Sequence, residues 1–148
     1  MRIVIAGPKC SGKSTVGKLV AERLDIPFVE TDHEIERLYS ESTGNSLSCR
    51  EIYAKEGEKR FRELEQEAVK SAAGRDWCLI CTGGSTLLNP ESRRLLRSNS
   101  MMVFLSAAPE ILWDRVCALG KPDFLKGNEG EQLYSQRVPH MLDVIMPY

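Results

Sequence analysis

The chain has 148 residues, 42% hydrophobic and 28% charged, which is the balance of an ordinary globular domain able to bury one core. Its 20 Lys and Arg against 21 Asp and Glu leave a net charge of −1, which gives no support to a nucleic-acid or membrane surface as partner. No apolar run approaches the roughly 18 residues that span a bilayer, and the first apolar stretch breaks at Gly7-Pro8-Lys9, unlike a secretion signal. Five cysteines, at 10, 49, 78, 81 and 117, are an odd set that reads as reduced thiols in a cytoplasmic protein. Cys78 and Cys81 lie inside the apolar string WCLIC and read as core, since no second pair completes a zinc site.

Arg2–Ala6 is an apolar run that reads as a first strand, and residues 7–12 separate it from a helical segment, Lys13–Leu24. A second strand is expected over 27–31, with Glu30-Thr31-Asp32 at its carboxyl end and a helix starting at His33. Cys49–Ala73 carries helical spacing, with Phe61, Leu64, Ala68 and Val69 on one face. Further strands are expected at 77–82 and 101–107, and helices at Pro90–Leu96 and Pro109–Leu119, each with proline at its opening position. The segment 120–131 is rich in Gly, Lys and charge and has little periodicity; either it is a solvated loop or it is a lid, placed at about 120–130. Continuous apolar strands alternating with helices imply one doubly wound α/β domain, 1–148, with a parallel sheet of at least four strands between helical layers.

The strongest motif is GPKCSGKST. Gly7, Gly12, Lys13 and Ser14 satisfy G-x-x-x-x-G-K-S/T, with a strand before and a helix after. Backbone N–H groups of Gly7, Pro8, Lys9, Cys10, Ser11, Gly12, Lys13, Ser14 and Thr15, Pro8 excepted, would cradle the phosphates of ATP at the positive end of the following helix. Lys13 would reach the β- and γ-phosphates and Ser14 would offer its hydroxyl to Mg²⁺. This is the phosphate-loop NTPase class. The guanine-reading N-K-x-D, the D-x-x-G switch and an aliphatic run ending in Asp-Glu are missing from the sequence, which removes GTPases and motor ATPases. Glu30 and Asp32 could instead serve Mg²⁺ and an acceptor hydroxyl, as phosphoryl transfer requires, or Asp32 could simply cap a helix.

Together with FVETDHEIE, EIYAKEGEKRFRELE, CTGGS and QRVPHM, the loop gives a chain that resembles the shikimate kinase family from residue 2 to about 143. The resemblance implies a small kinase with the nucleoside-monophosphate-kinase-like layout and a lid, which passes the γ-phosphate of ATP to the 3-hydroxyl of shikimate with Mg²⁺. It implies that Asp32 holds the acceptor hydroxyls and serves as base, and that Arg62 and Arg137 grip the acceptor carboxylate with Glu65 orienting the site. Gly83 and Gly84 would line the substrate, Glu30 would join Ser14 at the metal, and Arg115 would lie near the adenine. Lys121 falls where the family's lid presents arginine to the phosphates. Lys13, Asp32 and Lys121 would thus be the catalytic set.

Each assignment has a plainer counterpart: Arg62 pairing with Glu58, Gly83-Gly84 closing a strand, Arg115 as a solvated charge, and IMPY at 145–148 in place of Arg137 as the R-x-P element. The sequence also departs from the family pattern. Glu30 stands for Asp, Ser85 for a third glycine, Lys121 for arginine and Met141 for tyrosine, and the family's fifth strand and last helix would follow position 148. The expected partners are ATP and a small anionic hydroxylated acceptor, with no nucleic acid and no membrane, and the expected state is a monomer or weak homo-oligomer. The rivals are a related kinase for another hydroxy acid, sugar or nucleoside, or a nucleotide-binding module without turnover.

Overall fold

Four largely apolar runs pair side by side into one parallel sheet, the two central ones buried on both faces, where continuous apolar sequence is favoured. In a computed structural model that describes residues 1–120 and 130–146, they are β1 (Arg2–Ala6), β2 (Phe28–Glu30), β3 (Leu79–Cys81) and β4 (Ser100–Phe104), in the order β2-β3-β1-β4. Ile3 stands opposite Leu79 on one side and Met101 on the other, and Val29 stands opposite Ile80. The helices are α1 (Lys13–Leu24), α2 (Thr31–Thr43), α3 (Cys49–Ala73), α4 (Pro90–Arg97), α5 (Pro109–Ala118) and α6 (Gly130–Ile145), with a short 3-10 turn at Thr86–Leu88.

Alternation along β1 divides the core in two. Val4 and Ala6 join Val29 and Ile80 against Val69 and Ala72 of α3, Leu96 of α4, and Met141 and Ile145 of α6. Ile5, Leu79 and Cys81 face the other way onto Ala21 of α1. Helix, sheet, helix is the expected three-layer arrangement. The backbone of α1 presses close to the sheet: a Cβ on Gly17 would stand 2.4 Å from Cys81 Sγ. Cys78 and Cys81 are both buried, as core residues. Near the far end of the sheet, the buried Arg2 guanidinium donates to the carbonyls of Ala73 and Ser98, at the carboxyl ends of α3 and α4, where a cation suits the helix dipole.

The structure corrects several expected boundaries. β2 ends at Glu30, and Asp32 lies in the first turn of α2 instead of on the strand. α3 opens on a capping box between Ser48 and Glu51 but is broken at Gly57, whose φ of 78° and ψ of 173° leave helical space. The break lets Cys49–Glu56 pack on α2 while the longer half continues under the sheet. α6 was not among the expected elements, and it contains Pro139. Of the expected lid, residues 121–129, including Lys121, lie outside the described residues. Among the described residues no helix is long and apolar enough to cross a membrane.

Candidate active site

The carboxyl ends of the parallel strands carry the candidate chemistry, where an open α/β sheet forms its crevice. β1 runs into the loop 7–12, and the loop leads into α1. Gly7 passes so near β4 that a Cβ would lie 2.1 Å from Leu105 O, so no other residue fits there. Cys10 holds φ at 65°, uncommon for a residue with a side chain. Lys13 Nζ donates to Pro8 O at 2.8 Å, Tyr134 OH to Lys9 O at 2.6 Å, and Arg115 Nη1 to Cys10 O at 3.2 Å. Ser11 Oγ is the buried side-chain oxygen without a hydrogen-bond partner among the described residues. An orphaned hydroxyl inside a loop of this composition fits an anionic oxygen, since burying it unpaired costs roughly 1–3 kcal/mol.

Ser14 and Thr15 are exposed on the first turn of α1, and the Ser14 hydroxyl donates to Glu30 Oε1. Glu30 Oε2 also lies 3.3 Å from His33 Nδ1. Burial holds the Lys13 ammonium below its ordinary value of 10.5, and the Asp32 charge pulls it back up. Asp32 shows the converse. Burial pushes it above its ordinary 3.8, Lys13 pulls it down, and the carboxylates of Glu65 and Glu30 push it up again. Asp32 is open to water at its surface yet ringed by protein, as a group at the floor of a crevice must be. Lys13 and Asp32 therefore form an electrostatically coupled pair at the junction of the phosphate loop and the crevice.

Gly83 and Gly84 follow β3 and fill the space between that pair and the loop. Gly83 N donates to Thr31 Oγ1 at 2.8 Å, which fixes the start of α2, and a Cβ on Gly83 would stand 2.7 Å from Asp32 Oδ1 and 2.8 Å from Thr86 Oγ1. A Cβ on Gly84 would be 3.3 Å from Lys9 N. These two glycines therefore do more than close a strand. On α3, Arg62 Nη1 donates to Glu65 Oε2 at 2.9 Å, and Glu65 Oε1 accepts from Thr86 Oγ1 at 2.9 Å. Glu65 is 4% exposed and Thr86 is fully buried, so the half-exposed Arg62 projects from a fixed base. The α3 amino terminus is tied to α2 by Cys49 N donating to Glu36 Oε1 at 3.0 Å and by Cys49 Sγ donating to Asp32 O at 3.3 Å.

Arg137 lies on α6 one turn beyond Tyr134, near enough for its charge to act on the phenol, whose ionisation burial pushes up to about 12. Arg115 reaches the phosphate loop itself. Sequence reasoning missed Thr31, Thr86 and Tyr134. The first two are polar residues beside apolar strings and are fully buried; Tyr134 repeats at helical spacing with Val138, Met141 and Ile145, a pattern interrupted by Pro139.

Residues 9–142 match the shikimate kinase family. A bifunctional shikimate kinase/3-dehydroquinate synthase of Thermotoga maritima is 40% identical over 129 residues, which cover 87% of this chain and 25% of that protein. A shikimate kinase of Symbiobacterium thermophilum is 43% identical over 120 residues, covering 81% of this chain and 66% of that one. The chain thus spans less than two thirds of the length of each of these two relatives. The solved shikimate kinase from Acinetobacter baumannii in complex with shikimate has a TM-score of 0.79 and 29% identity to this chain, covering 99% of it and 76% of that chain. Motif, family match and overall fold agree, and the chain belongs to the shikimate kinase family.

Proposed function

We propose that this chain catalyses the ATP-dependent phosphorylation of shikimate at its 3-hydroxyl. The observation that carries this reading is Asp32 in the first turn of α2, beside Gly83 and within electrostatic reach of Lys13 in the phosphate loop. The loop amides and Ser11 bind the phosphates, and Lys13 exchanges its Pro8 carbonyl for a phosphate oxygen as charge develops there. Asp32 accepts the proton of the acceptor hydroxyl while that oxygen attacks the γ-phosphorus, and the bond to the β-phosphate oxygen breaks to release ADP. Burial raises the Asp32 carboxyl above its ordinary value, which strengthens it as a base, and the Lys13 charge works against that rise.

Arg62, Gly83, Gly84 and Arg137 form the acceptor side. Arg62 offers the fork that suits a carboxylate, and Glu65 aims it. Lys121 would add a second cation on the phosphoryl group. The neighbouring oxygens of Ser14 and Glu30 fit Mg²⁺, and no cluster of three His, Cys, Asp or Glu exists among the described residues. That combination suits Mg²⁺, which keeps most of its coordination for phosphates and water. When bound, Mg²⁺ supplies charge neutralisation between the β- and γ-phosphates. Five free cysteines favour a cytoplasmic setting. The test is whether ATP and shikimate give ADP and shikimate 3-phosphate in equal amounts.

A further inference from the structure

Three consecutive carbonyls of the phosphate loop are each held by a side chain from a different helix: Pro8 by Lys13 of α1, Lys9 by Tyr134 of α6, and Cys10 by Arg115 of α5. The three are not equivalent. Lys13 has phosphate as its competing partner, and Arg115 reaches the loop from an exposed position. Tyr134 is only 3% exposed, its ring lies against Trp113 with centroids 6.0 Å apart, and it packs in one cluster with Leu112, Val116 and Val138. Its hydroxyl therefore has one place to be, at 2.6 Å from Lys9 O.

The peptide it grips is the demanding one. In a trans peptide the C=O and the next N–H point in opposite directions. A hydroxyl that draws Lys9 O toward α6 also turns Cys10 N–H away from α6. Cys10 is the residue with φ at 65°, a conformation that persists only when its surroundings enforce it. A Lys9 carbonyl free to rotate would set the negative end of a dipole against the phosphates. We propose that Tyr134 is a positioning residue of the nucleotide site, its buried hydroxyl setting the Lys9–Cys10 peptide so that the loop presents N–H groups to phosphate. The proposal rests on the phosphate-loop reading of residues 7–15.

The test compares two variants of the full chain. Tyr134→Phe keeps the ring and its packing and deletes only the bond to Lys9 O, whereas Val138→Ala thins the same cluster, against which Cys10 also packs, and leaves the Tyr134 hydroxyl bond in place. Tyr134→Phe should weaken ATP binding about three- to tenfold by calorimetry and raise the ATP KM to match, with the shikimate KM unchanged. Val138→Ala should lower Tm by a few degrees and leave ATP affinity as in the wild type. Wild-type ATP affinity in Tyr134→Phe, or an equal loss in both variants, overturns the positioning role. Wild-type protein that binds no ATP overturns the phosphate-loop reading beneath it.

Discussion

Arg62 binds Glu65 at 2.9 Å, whereas Glu58, one turn earlier on the same helix, stands 3.7 Å from its Nε. The difference decides how Arg62 is used. A bridge to exposed Glu58 would be worth little, but Glu65 is buried and anchored by Thr86, so it presets the guanidinium without covering it. Arg62→Lys replaces a planar fork by a point charge and loses roughly 1.5–3 kcal/mol toward a carboxylate. The shikimate KM should rise on the order of ten- to a hundredfold, with ATP affinity nearly unchanged. Steady-state kinetics with each substrate varied in turn measures both.

Gly83→Ala places a methyl 2.7 Å from Asp32 Oδ1 and 2.8 Å from Thr86 Oγ1, closer than real Cβ contacts. One of those groups must move, and both serve the crevice. Phosphate transfer should fall at least tenfold, because misplacing a base by about an ångström is costly. ATP binding measured by calorimetry should stay close to the wild type, since the atoms nearest the new methyl belong to Asp32 and Thr86.

The shift of Asp32 has a sign that can be tested. Its folded value lies above its ordinary 3.8, mainly through burial. Between the ordinary and the raised value the folded state binds more proton than the unfolded state, so stability falls as pH rises through that window and stays reduced above it. Asp32→Asn should therefore raise Tm at neutral pH while abolishing turnover, and the gain in Tm should vanish below the ordinary value. Thermal melts of both proteins across pH check this; an Asp32→Asn variant less stable at pH 7 would contradict the raised value.

How much of this was legible in the sequence follows from what each residue is constrained by. GPKCSGKST was legible because its glycines answer local demands, such as the 2.1 Å approach at Gly7. The central strands β1 and β3 were legible because burial on both faces needs unbroken apolar runs. The start of α2 was not: Thr31 joins the helix because its hydroxyl accepts from Gly83 N, 52 residues away. The break in α3 at Gly57 was hidden inside a continuous helical pattern. α6 was hidden by Pro139 and by the charged residues around it, although Tyr134, Val138, Met141 and Ile145 repeat at helical spacing and are all buried. Arg62 and Glu65 were legible as a motif, but the link through Thr86 needed the fold.

The proposed metal role of the Ser14–Glu30 pair predicts a metal dependence. Excess chelator should abolish turnover. Glu30→Gln should shift the Mg²⁺ concentration for half-maximal rate upward several-fold, because it removes a charge that favours the cation. A Mg²⁺ titration of the two proteins is the measurement, and identical curves would remove Glu30 from the metal side.

The central claim is that this crevice passes phosphate from ATP to shikimate. Phosphorus NMR of wild-type protein with Mg²⁺, ATP and shikimate tests it most directly, with quinate and gluconate as parallel acceptors and Lys13→Ala as the control. The account predicts ADP and shikimate 3-phosphate appearing in step, far slower conversion of the other two acids, and no conversion by a folded Lys13→Ala variant. ATP left intact with shikimate present, or gluconate converted in its place, would contradict it.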